Sequence, residues 1–136
     1  MMMLTHAAVS GGLGELVVNP YIAFPLGIAT HLMLDKVPHT YVAEIMKNGI
    51  LKYLDTFSTL LFMILLFLVP TAHQAGLIWG AFGGIIVDVY LLGVIKNKGK
   101  VADWHSKRQP HKENSAFVLT DVAIFFVGLI LIWLFK

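Results

Sequence analysis

The sequence contains no cysteine among its 136 residues. This absence excludes a disulfide framework and any metal site built on thiolates. Metal ligands in this chain must therefore come from histidine, aspartate or glutamate. Such ligands suit zinc, iron or manganese better than soft copper ions.

Charged side chains are also scarce. Only 13% of the residues are Asp, Glu, Lys or Arg, whereas an ordinary soluble domain has about 25%. Hydrophobic residues make up 57% of the chain and the mean hydropathy is +0.77, which predicts an integral membrane protein. The small net charge of +2 and the lack of an aromatic-basic pattern argue against nucleic-acid binding. The length fits a single domain, 1–136, without an internal repeat.

Five apolar segments separated by turn signals predict an all-α bundle of about five helices. The first two form a short N-terminal helical hairpin, because each has fewer than the about 20 residues needed to cross a bilayer. The other three are predicted to be transmembrane helices. The predicted segments are Leu4 to Val18 with Thr5 as N-cap, Tyr21 to Lys36, Tyr53 to Val69, Gly76 to Ile95 and Ser115 to Phe135. A short interfacial helix is predicted from Thr40 to Lys47.

Basic residues are distributed unevenly between the predicted loops. All lysines and arginines except Lys136 lie in 36–52 and 96–113, and the turn 71–75 has none. Because cytoplasmic loops of membrane proteins carry an excess of basic residues, both basic stretches should face the cytoplasm. The predicted localisation is therefore the cytoplasmic (inner) membrane, with several membrane passes.

Three polar residues, His31, Asp35 and His39, follow one another at spacings of four in an apolar region. The side chains of residues four apart on a helix project from the same face and lie about 6 Å apart along the axis. The side chains of His31 and Asp35 are therefore predicted to be neighbours. Pro38 limits the helix, which makes His39 a less certain member of that face. A plain hydrogen bond between His31 and Asp35 within the helix is the simpler alternative.

The predicted topology brings further ionisable residues to the same depth, at or below the cytoplasmic surface. These residues are His6, Asp55, Asp88, His111 and Asp121. Asp88 is the sharpest case, because an aspartate facing lipid there would cost about 2.5–3.5 kcal/mol. Glycines at 76, 80 and 84 let another helix approach the face that carries Asp88. Asp55 and Asp121 also lie near helix N-termini, where the helix dipole alone would favour them.

Several motifs resemble a known family. They are Thr5-His6-Ala7, Ala29-Thr30-His31-Leu32-Met33-Leu34-Asp35 followed by Pro38-His39, and Gly80 to Asp88. They are similar to motifs of small bacterial inner-membrane proteins grouped with the membrane-bound metal-dependent hydrolases. The motifs of those proteins are in turn similar in style to the motifs of zinc-dependent phospholipase C, an all-α protein with a His/Asp/Glu metal cluster. The resemblance covers the first forty residues and the helix with Asp88, and it implies a metal-dependent hydrolase.

The main functional hypothesis is a membrane-embedded site for a divalent metal, most simply zinc, that hydrolyses a phospholipid or another phosphoester. The expected metal ligands are His6, His31, Asp35 and Asp88, with His39 and His111 as further ligands. Asp55 or Asp121 is the candidate general base. Two non-enzymatic alternatives stay open: a proton or metal-ion conduit within a homo-oligomer, and a structural membrane protein stabilised by a bound metal.

Overall fold

The computed structural model describes residues 3–37, 39–40, 49–93, 111–112 and 116–134 of the chain. The described part contains α1 (Met3–Glu15), α2 (Pro20–Leu34), β1 (His39–Thr40), α3 (Gly49–Leu68), α4 (Gln74–Gly93), β2 (His111–Lys112) and α5 (Ala116–Leu134). The prediction of an all-α fold with about five helices is therefore confirmed. Within these ranges, no helix combines the length and the apolarity needed to cross a membrane.

Helix α1 lies at the centre of the bundle and packs against each of the other four helices. Nearly all of its residues are buried. Its sequence explains this position, because Ala7, Ala8, Ser10 and the glycines that follow have side chains too small to keep neighbouring helices apart. Residues near the start of α1 therefore become part of the interior.

Glycines form the seam between α1, α2 and α4. A Cβ atom on Gly80 would lie only 2.8 Å from the Cα atom of Gly14 in α1, and one on Gly27 in α2 would collide with the carbonyl oxygen of Gly80. A Cβ atom on Gly84 would lie 2.7 Å from the carbonyl oxygen of His6. These contacts show that α1 runs antiparallel to α4, whereas α2 runs parallel to α4. As a result, the start of α1 and the ends of α2 and α4 meet at one end of the bundle.

Helix α2 begins and ends where its sequence indicates. Asn19 is the N-cap, and its side-chain oxygen accepts a hydrogen bond from the backbone N–H of Tyr21 at 2.9 Å. Pro20 occupies the first helical position, where its missing N–H costs nothing. Asp35 is the C-cap, and its backbone N–H still donates to the carbonyl of His31 at 3.0 Å. The side chain of Asp35 is therefore held one turn from that of His31.

Two predicted details are wrong. Thr5 is not an N-cap, because α1 begins at Met3 and the first backbone N–H groups are bound instead by a carboxylate from α3, that of Asp55. Thr40 does not start an interfacial helix, because it lies in β1 and pairs in parallel with Lys112 of β2. The rest of that predicted helix, 41–47, lies outside the described residues.

At the opposite end of the bundle, the buried carboxylate of Glu15 joins α1 to the turn before α4. It accepts hydrogen bonds from the Thr71 hydroxyl at 2.8 Å and from the backbone N–H of His73 at 2.9 Å. The His73 ring lies with Nδ1 3.1 Å from the carbonyl oxygen of Glu15 and donates to it. Because hydrogen bonds to a charged group are stronger than neutral ones, this contact should stabilise the fold.

Replacing Glu15 with Gln is expected to lower the free energy of unfolding by about 1–3 kcal/mol. The amide has one acceptor oxygen, so either the Thr71 hydroxyl or the His73 N–H loses its acceptor. Thermal and urea unfolding of the purified protein in detergent would measure the change. Thr71→Val removes a single hydrogen bond and serves as the comparison. It should lower the free energy of unfolding by only about 0.5–1.5 kcal/mol. A Glu15→Gln protein as stable as the unaltered chain would contradict this role.

Candidate metal centre

Four ionisable side chains from three helices meet at one end of the bundle. They are His6 in the first turns of α1, His31 in the last turn of α2, Asp35 directly after α2, and Asp88 in α4. His6, His31 and Asp35 are buried. This arrangement is the one that the sequence topology predicted for these residues, and its geometry shows what the group can do.

The orientation of the His31 ring is determined by a backbone carbonyl. Its Nδ1 lies 2.7 Å from the carbonyl oxygen of Gly84 and therefore carries the proton that it donates. Its Nε2 faces two carboxylates, with Asp35 Oδ2 at 3.1 Å and Asp88 Oδ1 at 3.9 Å. An Nε2 lone pair would be repelled by these oxygens, so a proton or a metal ion must lie between them. In metal sites, a histidine typically donates a hydrogen bond from one ring nitrogen to a carbonyl or carboxylate and binds the metal through its second ring nitrogen.

His6 completes the group from the other side. Its Nε2 lies 3.3 Å from Asp35 Oδ1, and its ring is stacked on that of His31 with centroids 4.0 Å apart. Protonating both rings would place two positive charges face to face in a buried region, where charges repel strongly. A single divalent cation would satisfy both imidazoles and both carboxylates without that repulsion. The charges are therefore compatible either with a single proton on one ring or with a divalent cation.

The ligand geometry fits such an ion. One ligand atom each from His6, His31 and Asp88 lies within 4.8 Å of the others. Zinc lies about 2.0–2.2 Å from nitrogen and oxygen ligands, so the three side chains would have to move closer together to bind it. Asp35 has one oxygen near each histidine and is placed to act as a fourth ligand or to hold both rings. The donor set of imidazoles and carboxylates suits zinc, iron or manganese.

Access to this group is uneven. The side chains of His6, His31 and Asp35 are at most 3% exposed, whereas that of Asp88 is 16% exposed. The group is therefore most accessible along α4, beside Asp88. This partial opening is compatible with a catalytic site, because catalytic metals need an open coordination position.

The other predicted site residues lie at the same end but in different surroundings. Asp55 binds the backbone N–H groups of Met3 and Leu4 at 3.1 and 3.4 Å, which stabilises the start of α1. Asp121 is buried in α5. His39 and His111 are partners in the parallel pairing of β1 with β2. The roles of Asp55 and Asp121 as general base, and of His39 and His111 as ligands, remain predictions.

Sequence reasoning missed Gly84 as a member of the site. It interpreted the glycines of α4 only as a surface for close helix packing. The signal that could have found it is the spacing of four between Gly84 and Asp88, because that spacing puts the Gly84 backbone on the face that carries the carboxylate. The missing side chain of Gly84 lets α1 approach closely, because a Cβ atom there would lie 2.5 Å from the Ser10 hydroxyl and 2.7 Å from the carbonyl oxygen of His6.

Comparison of the chain with family models, with curated proteins and with solved structures finds no match.

Proposed function

We propose that this protein is a membrane-embedded, metal-dependent hydrolase that acts on a phospholipid or another phosphoester at the cytoplasmic face. The observation that carries the metal site is the His31 ring, whose Nδ1 is bound to Gly84 while its Nε2 faces the carboxylates of Asp35 and Asp88. A divalent metal bound there would supply Lewis-acid activation of water and of a phosphoryl oxygen. Zinc is the simplest choice for these ligands.

The residues of the chain have separate parts in this proposal. His6, His31 and Asp88 hold the metal, and Asp35 both contributes an oxygen and keeps the two imidazoles in place. The hydrogen bond to Gly84 fixes the tautomer of His31 and directs its Nε2 towards the two carboxylates, where the metal would bind. The partly exposed side of the group, at Asp88, is where a phosphoester would enter.

The outer surface of the bundle supports the membrane part of the proposal. Large apolar side chains are exposed along α3, α4 and α5, whereas soluble monomers rarely expose a wide apolar surface. Exposed aromatic residues lie at both ends of the bundle, with Tyr53 and Tyr90 at the metal end and Tyr21, Trp79 and Trp133 at the other. Tyr and Trp are enriched where membrane proteins cross the two interfaces.

The metal end is assigned to the cytoplasm because both basic stretches, 36–52 and 96–113, connect helices at that end. A site at this depth lies near the lipid headgroups. Lysines and arginines of these stretches would attract anionic phosphate groups to it. A phosphoester of a lipid is therefore the substrate class that the charges favour.

The test begins with membranes washed in alkaline carbonate, from which the chain should be released only by detergent. The purified protein should contain zinc or another divalent metal and hydrolyse phosphatidylglycerol in mixed micelles. Treatment with EDTA should abolish hydrolysis, and Zn²⁺ should restore it. Asp88→Asn should reduce turnover at least about 100-fold, because it removes a metal ligand. Glu15→Gln, at the other end of the bundle, should retain full activity.

Other outcomes would separate the alternatives. Protein without metal, even after dialysis against Zn²⁺, would contradict the metal site. Bound metal without turnover, together with a large fall in melting temperature on chelation, would favour a structural metal. Release of the chain by carbonate alone would contradict membrane embedding.

A further inference from the structure

Ser10 of α1 lies where three helices meet. Its side chain is fully buried. Its hydroxyl donates a hydrogen bond to α2, with Oγ 3.4 Å from the carbonyl oxygen of Gly27. On its other side it packs on α4, because a Cβ atom on Gly84 would lie 2.5 Å from the Ser10 Oγ atom and 2.6 Å from the Ser10 Cβ atom. The side chain of Ser10 therefore determines how closely α1, α2 and α4 approach one another at this level, which we call the Ser10 junction (Ser10, Gly27 and Gly84).

Each residue of the Ser10 junction is four positions from a member of the metal group. Ser10 follows His6 on α1, Gly27 precedes His31 on α2, and Gly84 precedes Asp88 on α4. Residues four apart lie on the same face of a helix, about one turn from each other. Since α1 runs antiparallel to α4 and α2 runs parallel to it, all three steps lead towards the metal end. The separation of the helices at the junction therefore governs the separation of the three ligands.

The hydrogen bond of Ser10 is long for a hydroxyl donor, because such bonds usually measure about 2.7–2.8 Å. One turn away, the rings of His6 and His31 are stacked with their centroids 4.0 Å apart. The ligands must move closer together to bind zinc. A movement of α1 towards α2 that brings them together also shortens the hydrogen bond from Ser10 to Gly27. The bond is then stronger with the ion than without it, so it contributes to the affinity for the ion.

We propose that Ser10 is a positioning residue of the metal centre and holds His6, His31 and Asp88 at the separation that a divalent cation requires. Ser10 acts through the backbones of α2 and α4 and is not itself a ligand. The inference rests on the proposed metal site. It adds a specific requirement, which is a side chain of the size of serine that donates a hydrogen bond.

The experiment measures metal binding by the full chain in detergent, with Zn²⁺ in a calorimeter and with Co²⁺ by absorption spectroscopy. Ser10→Ala removes the donor and should weaken Zn²⁺ binding by about 10–100-fold, the range for groups that support metal ligands. Ser10→Thr keeps the donor but adds a methyl group at the crowded junction, so it should also weaken binding. In both variants the Co²⁺ absorption bands should shift, because these bands report the arrangement of ligands around the ion.

Thr71→Val is the matched control, since it removes a hydroxyl hydrogen bond at the opposite end of the bundle. It should lower the melting temperature but leave the Zn²⁺ affinity and the Co²⁺ bands unchanged. A purely structural role for Ser10 predicts the same result for Ser10→Ala, and that result would overturn the proposal. Circular dichroism should show that each variant is folded, and if Ser10→Thr is not, the smaller Ser10→Ala carries the test alone.

The unaltered chain separates this inference from the metal site on which it rests. An unaltered protein that binds neither Zn²⁺ nor Co²⁺ would contradict the metal site and the role of Ser10 together. Metal binding that is equal in the unaltered protein and in Ser10→Ala would contradict the role of Ser10 alone.

Discussion

Replacing Asp35 with Asn is expected to abolish binding of the proposed metal ion at His6 and His31. One oxygen of Asp35 faces each imidazole, at 3.3 and 3.1 Å. The amide keeps the size of the side chain but loses the negative charge and one oxygen, and its N–H₂ group would face a nitrogen meant for the metal. Metal affinity should fall by more than about 100-fold, beyond the effect of changing a supporting residue. Elemental analysis of the purified protein should show one ion fewer per chain.

The same variant should lose much more stability when metal is present than when it is absent. A ligand at 100 times its dissociation constant stabilises a protein by about 2.7 kcal/mol, and this contribution disappears with the site. For a chain of this size, the melting temperature should fall by on the order of 10 °C in Zn²⁺ and by much less in EDTA. Glu15→Gln is the matched control, because it is the same chemical change at a buried carboxylate far from the metal end. Unchanged metal content in both Asp35→Asn and Asp88→Asn would refute the site.

The position of the site along the bundle could be predicted from the sequence, because it depends only on the order of the helices and on the direction in which each runs. Helix order and the polarity of each segment determine which residues lie at the same end, and these follow from apolar runs and turn signals. This reasoning placed His6, His31, Asp35 and Asp88 at one depth. The distances among them could not be predicted, because they depend on how closely the helices approach and on the rotation of each helix.

The backbone groups that contact the site residues could not be identified from the sequence. The carbonyl of Gly84 fixes the His31 ring, and the N–H groups at the start of α1 bind Asp55. Every residue has the same backbone groups, so the sequence does not show which of them will face a particular side chain. For the same reason, the sequence suggested that the α3 dipole explains Asp55, whereas its partner is the N-terminus of another helix.

The pairing of His39 with His111 could not be predicted either. The two residues are separated in the chain by helices α3 and α4. The sequence around each of them has no strong periodic pattern of apolar residues. A parallel pair of two residues gives almost no sequence signal, because strand prediction needs a run of four or more alternating residues. The strand pair could therefore be found only in the structure.

Replacing Gly80 with Leu is expected to have the largest effect on the fold. Gly80 lies where α4 contacts both α1 and α2. Its backbone touches Gly14, and a Cβ atom on Gly27 would collide with its carbonyl oxygen. A Cβ atom on Gly80 would be 2.8 Å from the Cα atom and 3.2 Å from the backbone nitrogen of Gly14. Backbone atoms cannot rotate away as side chains do, so α1 would have to move. The loss should exceed about 3 kcal/mol, the upper range for an overpacked core.

Gly80→Ala should give a graded result. Alanine is the better helix former by about 1 kcal/mol, yet its Cβ atom still displaces α1, so a net loss of about 1–2 kcal/mol is expected. Ala75→Leu is the control on the same helix, because Ala75 is exposed, and surface changes usually stay within about 0.5 kcal/mol. Thermal unfolding in detergent would compare the three variants.

The same substitution also connects packing with chemistry. His6 lies on α1, and its Nε2 is held 3.3 Å from Asp35 only while α1 stays in contact with α4. A shift of α1 away from α4 would therefore move His6 away from a metal bound to His31 and Asp88. Gly80→Ala should therefore lose metal affinity as well as stability, although Gly80 has no ligand atom in the site. A Gly80→Leu protein that melts like the unaltered chain and retains its metal would show that α1 and α4 do not meet at this seam.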